Sequence, residues 1–192
     1  MQKILFKNTV KLIIAGLLIG FLHKYDLIIA LLIFLKLIHT FHRNYKADTF
    51  SIMFLIGFIV TGAVGLFFEY IGTSYKYWEY HDISRQVPAW LFFAWGGAFI
   101  TTYQIKMQIY KELPELSDNI KLYITLIIVA LFPAFGEMIA INLGTWTYHL
   151  PYKVFGVPLI AIAALIIIHF TIHNILSFFT KKSGIKDIVF NP

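Results

Sequence analysis

Long apolar runs separated by short polar clusters set the pattern of this chain. The runs predict helices over 4–22, 25–41, 50–72, 87–107, 120–143 and 155–179. About 20 apolar residues are needed to cross a bilayer, and the last four runs meet that length. Lys7, Asn8 and Lys11 interrupt the first run and Lys36 the second, so this pair is expected to be short, tilted or only partly inserted. The expected fold class is all-α, a polytopic membrane bundle of about six transmembrane helices. One membrane domain, 1–192, divides into an N-terminal helix pair (1–48), a first repeat (49–108), a second repeat (119–180) and a tail (181–192).

The repeat is visible in polar residues embedded in the apolar pattern. Glu69 is followed by Trp78, Tyr80 and Val87-Pro88, then an apolar run. Glu137 is followed by Trp146, Tyr148 and Val157-Pro158, then another. Two spans separate the units, so helices 3–4 and 5–6 are expected to form a parallel internal repeat. Gly57, Thr61, Gly65 and Glu69 recur every fourth residue and share one helical face. Small residues on such a stripe let helices approach closely in lipid, which points Glu69 into the bundle. Ala130, Ala134 and Glu137 form a weaker stripe beside Pro133, where a kink is expected.

Carboxylates in apolar spans are costly and mark functional sites. Glu69 and Glu137 are therefore the candidate catalytic pair, as general acid and base or as acid and electrostatic stabiliser. Trp78, Tyr80, Trp146 and Tyr148 fit an interfacial aromatic belt or the wall of a substrate pocket whose ring faces stabilise cationic charge. Asp82, in the loop that also holds Glu79 and His81, is a candidate for the pocket mouth. Trp95-Gly96-Gly97 is read as a helix-packing site.

Histidines offer a different chemistry. His39 and His42 end the second run, and His169 and His173 lie four apart in the last. Spacings of three or four can put two imidazoles on one metal, so these four define an alternative metal site, that of a metal-dependent membrane lipid oxidase. His169 lies about 20 Å along its helix from the acid-bearing boundary, too far to join the glutamates.

Composition narrows the choices. Hydrophobic residues make up 59% of the chain and charged residues 14%, with mean hydropathy +0.75; soluble chains carry about 25% charge. No cysteine is present, which excludes disulfides and thiolate chemistry. There is no phosphate-binding glycine loop, nucleophile elbow or zinc-protease helix. The net charge of +6 follows from lysines flanking spans and calls for no nucleic-acid partner. Lys3, Lys7, Lys11, Lys36, Arg43, Lys46, Lys106, Lys111, Lys121, Lys181, Lys182 and Lys186 fall on one side of the expected topology. Lys24, Lys76, Arg85 and Lys153 fall on the other. The bias makes both termini cytoplasmic, in what is expected to be a bacterial cytoplasmic membrane, and sets both Glu-Trp-Tyr segments outside. The first run lacks a small-residue cleavage site and is read as retained rather than as a signal peptide.

At the repeated motif the chain resembles the integral-membrane carotenoid biosynthesis proteins, the carotenoid hydratase-like family. The residues concerned are Glu69-x-x-Gly72-Thr73 through Trp78-x-Tyr80 to Val87-Pro88, and Leu143-Gly144-Thr145-Trp146-x-Tyr148 through Phe155-Gly156-Val157-Pro158. The resemblance covers roughly 65–165, with a more distant similarity of logic to membrane lycopene cyclases. Lys76 stands where that family tends to have a small residue, and the run after Pro158 is plainly aliphatic. The resemblance implies proton-initiated hydration, cyclisation or isomerisation of an apolar isoprenoid, without a cofactor. Membrane lipid or isoprenoid and the bilayer are the expected partners, and a homo-oligomer is compatible with the pattern. The contrasting class is a small transporter or channel subunit with proton-titratable glutamates.

Overall fold

Ser51 holds extended backbone, and its hydroxyl accepts a hydrogen bond from the Met53 N–H at 3.2 Å. This N-cap starts the helix that carries Glu69. In a computed structural model, which describes residues 2–47 and 49–191, the chain is mostly helical. Its six helices are α1 (Gln2–Leu22), α2 (Asp26–Lys46), α3 (Ile52–Ser74), α4 (Leu91–Glu112), α5 (Asp118–Asn142) and α6 (Leu159–Lys182). The expected domain boundary at Asp48 lies outside the described residues. Short strands join them: β1 (Trp78–Tyr80), β2 (Trp146–Tyr148), β3 (Lys153–Val154) and β4 (Val157–Pro158). The sequence pattern predicts loop at β1, β2 and β3 but helix at Val157–Pro158, within the run 155–179; there the chain is instead extended as β4 and α6 begins at Leu159.

Three helices, α3, α5 and α6, are long and apolar enough to cross a membrane. The sequence pattern predicts about six, with α3 to α6 of comfortable spanning length. Of these, α4 falls short on apolarity, because its second half carries Thr101, Thr102, Gln104, Lys106, Gln108 and Lys111. It also starts at Leu91 rather than 87: Pro88 disfavours helical backbone at Val87 before it, and the Ala89 N–H is held by Asp26.

Glycine decides how α3 and α4 pair. A methyl group added at Gly57 would lie 1.9 Å from the Phe99 ring, and one at Gly65 would lie 2.2 Å from Trp95. On the other helix, one at Gly96 would lie 2.3 Å from Phe58. Each glycine is a seat for an aromatic ring of the partner helix, the close approach expected of the small-residue stripe. A second pair, α1 on α5, uses the same device, with Gly20 against Leu143 and Gly16 against the Gly136 carbonyl.

Both acid-bearing helices end alike. The Tyr77 N–H reaches back to the Gly72 carbonyl at 2.8 Å and the Lys76 N–H to Thr73 at 3.1 Å. At the matching positions, Thr145 reaches Ala140 at 3.2 Å and Gly144 reaches Ile141 at 2.9 Å. This double bond pattern is the Schellman cap, whose penultimate residue is left-handed. Lys76 (φ 56°) and Gly144 (φ 84°) fill that position. The caps turn both chains into β1 and β2, which pair antiparallel. His81 N–H to Thr145 O at 3.0 Å and His149 N–H to Tyr77 O at 2.8 Å extend the ladder at its two ends.

Asp26, buried at the start of α2, fixes the segment before α4. It accepts from the Ala89 N–H at 2.7 Å and pairs with Arg85 at 3.3 Å. At the other end of the bundle the segment after α6 folds back. Asp187 accepts from Ser51 Oγ at 2.5 Å, from Tyr103 Oη at 2.9 Å and from the Val189 N–H at 2.8 Å. Val189 and Phe190 thereby join the apolar core of α3, α4 and α6.

Candidate functional site

Glu69 lies one turn after Gly65 and one turn before Gly72, and those two glycines seat the rings that bind it. Trp95 packs over Gly65, and Trp78, arriving from β1, packs over Gly72. Both indoles then donate to the carboxylate: Trp78 Nε1 to Oε2 at 2.9 Å and Trp95 Nε1 to Oε1 at 3.1 Å. Tyr80 Oη adds a third bond, to Oε2 at 2.7 Å. Glu69 is 8% exposed. An indole N–H only donates, so both oxygens of Glu69 are engaged as acceptors.

Glu137 is held more loosely. It is half-buried, and its one hydrogen bond among the described residues comes from Tyr148 Oη, at 2.9 Å. The tyrosine stands eleven residues after its glutamate in each case. The tryptophan does not behave equivalently. Trp78 Nε1 bonds Glu69, whereas the buried Trp146 Nε1 meets no acceptor in hydrogen-bonding geometry among the described residues.

Pairing of β1 with β2 brings the two halves together. Trp78 stands opposite Tyr148, and Tyr80 opposite Trp146. Alternation along a strand puts these four side chains on one face, while Glu79 and Thr147, paired between them, are exposed. Ring centroids lie 5.6 Å apart for Trp78–Tyr148, 5.7 Å for Tyr80–Trp146 and 6.5 Å for Trp90–Trp146. All four tryptophans of the chain, Trp78, Trp90, Trp95 and Trp146, therefore gather with two tyrosines in one cluster.

Electrostatics tie the glutamates to the same cluster. The Tyr80 phenol is pushed well above its ordinary range by burial, then by the negative charge of Glu69, with a smaller contribution from Glu137. Tyr148 is pushed up likewise, by burial and then by Glu137 and Glu69. Each phenol lies within electrostatic reach of both acids. The phenols stay protonated as donors to the carboxylates.

The other sequence candidates lie apart. Asp82 is exposed and serves as an anchor: His23 Nε2 lies 3.1 Å and Lys24 Nζ 3.5 Å from its Oδ2. These partners hold its carboxyl below the usual range, the hydrogen bond to His23 first and the Lys24 charge second. It thus joins the α1–α2 turn to the β1–α4 segment. The four histidines do not form the metal site weighed from the sequence. His39 and His42 are exposed on α2, His169 is buried in α6, and His173 meets the Lys106 ammonium. Among the described residues no three His, Asp or Glu side chains are placed to hold a metal. Lys106, counted from the sequence as a charge on the cytoplasmic side, is only 3% exposed inside the bundle.

Sequence reasoning missed Trp95 as a ligand of Glu69 and Trp90 as part of the cluster. The available signal was the ring-sized gap at Gly65 on the face that carries Glu69; the partner that fills it belongs to another helix. Comparison with known protein families, curated proteins and solved structures gives no match to this chain.

Proposed function

We propose that the chain is an integral membrane enzyme carrying out cofactor-free acid/base chemistry on an apolar isoprenoid or carotenoid-type lipid. In this reading its six helices form a polytopic bundle with a parallel repeat, α3–α4 and α5–α6. Both termini lie on the cytoplasmic side of a bacterial membrane. The observation that carries the proposal is the convergence of two carboxylates, each on a helix long and apolar enough to cross a membrane, on one cluster of tryptophan and tyrosine rings.

The unequal surroundings of the acids divide the work. Glu137, with one hydrogen bond and partial access, is the proton donor. It gives its proton to one carbon of a substrate double bond, leaving a carbocation at the other. Ring faces and the Glu69 carboxylate, fixed by three donors, stabilise that cation. For hydration, water adds to the cation and a proton of that water returns to Glu137. For isomerisation or cyclisation, a neighbouring C–H proton is lost to Glu137 instead. Exposed apolar side chains on α5 and α6, among them Ile127, Leu131, Ile160 and Ile167, suit contact with acyl chains, so a lipid substrate reaches the bundle from within the bilayer.

The test is mass spectrometry of lipids from cells supplied with acyclic carotenoid precursors. Cells expressing the chain are compared with cells expressing Glu69→Gln or Glu137→Gln. A product heavier by one water, or an isomer of unchanged mass, that disappears in both variants supports the reading. Unchanged lipids from well-folded wild-type protein reject carotenoid-type catalysis.

A further inference from the structure

The N-terminal helix pair gathers cations without gathering acids. Lys7 and Lys11 lie one turn apart on α1, and Lys36 and Arg43 lie two turns apart on α2, so each pair shares a helical face. A turn of a few residues joins the helices and folds them back on each other, closed by the Tyr25 N–H on the Leu22 carbonyl at 2.7 Å. At the helical rise, Lys11 and Lys36 each lie roughly 18–20 Å from that turn, and Lys7 and Arg43 roughly 25–29 Å. The hairpin therefore sets Lys11 level with Lys36, and Lys7 level with Arg43. Lys7, Arg43 and Lys36 all act on the Lys11 charge through space.

Among the described residues, no carboxylate comes within the 4.0 Å of an ion pair to any of the four. The acid of α2 is Asp26, and it is engaged at the other end of the helix by Ala89 and Arg85. Buried Asn8 accepts from Lys11 Nζ at 3.1 Å, which occupies one of the three ammonium donors. Lys11 is half-buried, while Lys7, Lys36 and Arg43 are exposed. Like charges one turn apart destabilise a helix, and an anion placed among them turns that repulsion into attraction.

The depth of the cluster identifies the anion. Gly20, beside the α1–α2 turn, packs against Leu143 at the end of the helix that carries Glu137. The cations lie at the opposite end. Phe41, two residues before Arg43, meets Phe50 and Phe54 at the start of α3, with ring centroids 6.2 Å and 5.2 Å away. Because α3 is long and apolar enough to cross a membrane, Lys7 and Arg43 stand level with the first turn of a span, where lipid headgroups lie. Lys11 and Lys36 are about 6–10 Å deeper, a depth from which a lysine stem reaches the headgroup level. Further along the same faces the surface turns apolar. Ile14 follows Lys11 by one turn, Leu32 precedes Lys36 by one turn, and both are exposed. Cations at the boundary with apolar surface beyond them match a phosphate followed by an acyl chain.

We infer that the α1–α2 hairpin is a binding site for an anionic phospholipid of the leaflet opposite the glutamate cluster. Lys7, Lys11, Lys36 and Arg43 hold its phosphate, and an acyl chain lies along Ile14 and Leu32. The inference rests on the membrane crossing proposed above and not on the chemistry proposed for Glu69 and Glu137. Arg43 supplies a planar fork that bonds two phosphate oxygens, and the lysines supply point charges. A zwitterionic lipid would bring its own ammonium into the cations. Free phosphate would leave the apolar surface uncovered. Basic pockets between helices at this level select anionic headgroups.

The experiment is native mass spectrometry of the full-length protein in detergent, with dioleoyl phosphatidylglycerol and dioleoyl phosphatidylcholine supplied together. The wild-type protein should retain a phosphatidylglycerol molecule in preference. Lys36→Gln with Arg43→Gln should lower the preference about fivefold for each cation removed. Lys181→Gln with Lys182→Gln removes the same charge from the end of α6 and should leave the preference unchanged. Equal retention of the two lipids by the wild-type protein overturns the inference. Equal loss in the α6 variant also overturns it, because net charge alone then sets the preference. Displacement of the lipid by excess inorganic phosphate assigns the cations to a free anion and overturns it too. Circular dichroism checks that the variants fold, and Lys36→Gln alone serves where the double variant does not. Single cysteines placed at Glu115 and Tyr75 in this cysteine-free chain report membrane sidedness by labelling, so a wrong topology is told apart from a wrong lipid site.

Discussion

Trp78 and Tyr148 stand opposite each other in the β1–β2 ladder, with ring centroids 5.6 Å apart and planes at 68°. Trp78 bonds Glu69 and Tyr148 bonds Glu137. One edge-to-face contact thus connects the two acids, and the ladder that holds it comprises three residues in each strand.

Because two of the four indoles donate to Glu69, its replacement should be visible in intrinsic fluorescence. Glu69→Gln turns an acceptor-only group into one whose amide N–H₂ confronts an indole or phenol donor. Hydrogen bonds to a charged group contribute about 1.5–3 kcal/mol each, so a loss of about 2 kcal/mol or more is expected, with a shift in tryptophan emission. Glu137→Gln leaves the Trp78 and Trp95 bonds intact and should shift emission much less. Thermal unfolding and emission spectra of the two purified variants check this, and equal spectral shifts would contradict the division of roles.

Gly65 and Gly72 position the donors, so alanine at either site should act on Glu69 without touching it. The added methyl would lie 2.2 Å from Trp95 or 2.0 Å from Trp78. Overpacking of this kind costs about 1–3 kcal/mol. Both variants should lower the melting temperature and change the emission of the displaced indole. Gly97→Ala, where the nearest atom is 3.7 Å away, is the control: it should leave the emission unchanged and hold or raise the melting temperature, since alanine is better than glycine inside a helix by about 0.5–1 kcal/mol.

The two Schellman caps give a matched pair of backbone tests. A side chain in the left-handed region costs about 1–2 kcal/mol. Lys76→Gly removes that strain at an exposed position and should stabilise the protein by about 0.5–1 kcal/mol once the greater chain freedom of glycine is counted. Gly144→Ala should destabilise by about 1 kcal/mol, although nothing lies within 4 Å of the added methyl. Differential scanning calorimetry in detergent reads both; a fall in melting temperature for Lys76→Gly would reject the cap assignment.

Tyr80 and Tyr148 predict an alkaline limit. Their folded pKa values are raised above the unfolded value near 10. The stabilisation they carry is complete below pH 10 and lost as pH rises above it, because the unfolded chain releases those protons first. Ultraviolet titration should show Tyr80 and Tyr148 among the phenols that ionise only with unfolding, and Tyr80→Phe with Tyr148→Phe should shrink that step by two phenols. Asp82 runs in the opposite sense. Its lowered folded pKa gives stability present above the unfolded value near 3.9 and lost as pH falls through the folded one. Asp82→Asn should flatten that acid limb, and only slightly, since the group is exposed.

Helix positions were largely legible along the chain. Predicted ends fall within a few residues of the observed ones for α1, α3, α5 and α6, because length and apolarity are local properties. For α2 the helix continues to Lys46, past the last apolar residue, since a solvated helical turn needs no hydrophobic partner. Its extension carries His42 and Arg43 on an exposed surface. The recurring Glu–Trp–Tyr spacing was legible too, and it holds as Glu69–Trp78 and the two Glu–Tyr bonds at eleven residues.

The sequence by itself determined the helices, the glycine stripe on α3 and the presence of two acids in apolar surroundings, because each depends on neighbours within a turn or two. Tertiary structure alone decided that β1 pairs with β2, that Trp95 completes the Glu69 shell and that Lys106 is sealed beneath Phe190. Those contacts join residues far apart in the chain. Their partners are selected by ring-sized gaps and by donors and acceptors that meet only once the helices have packed, and no periodicity in the sequence encodes that meeting.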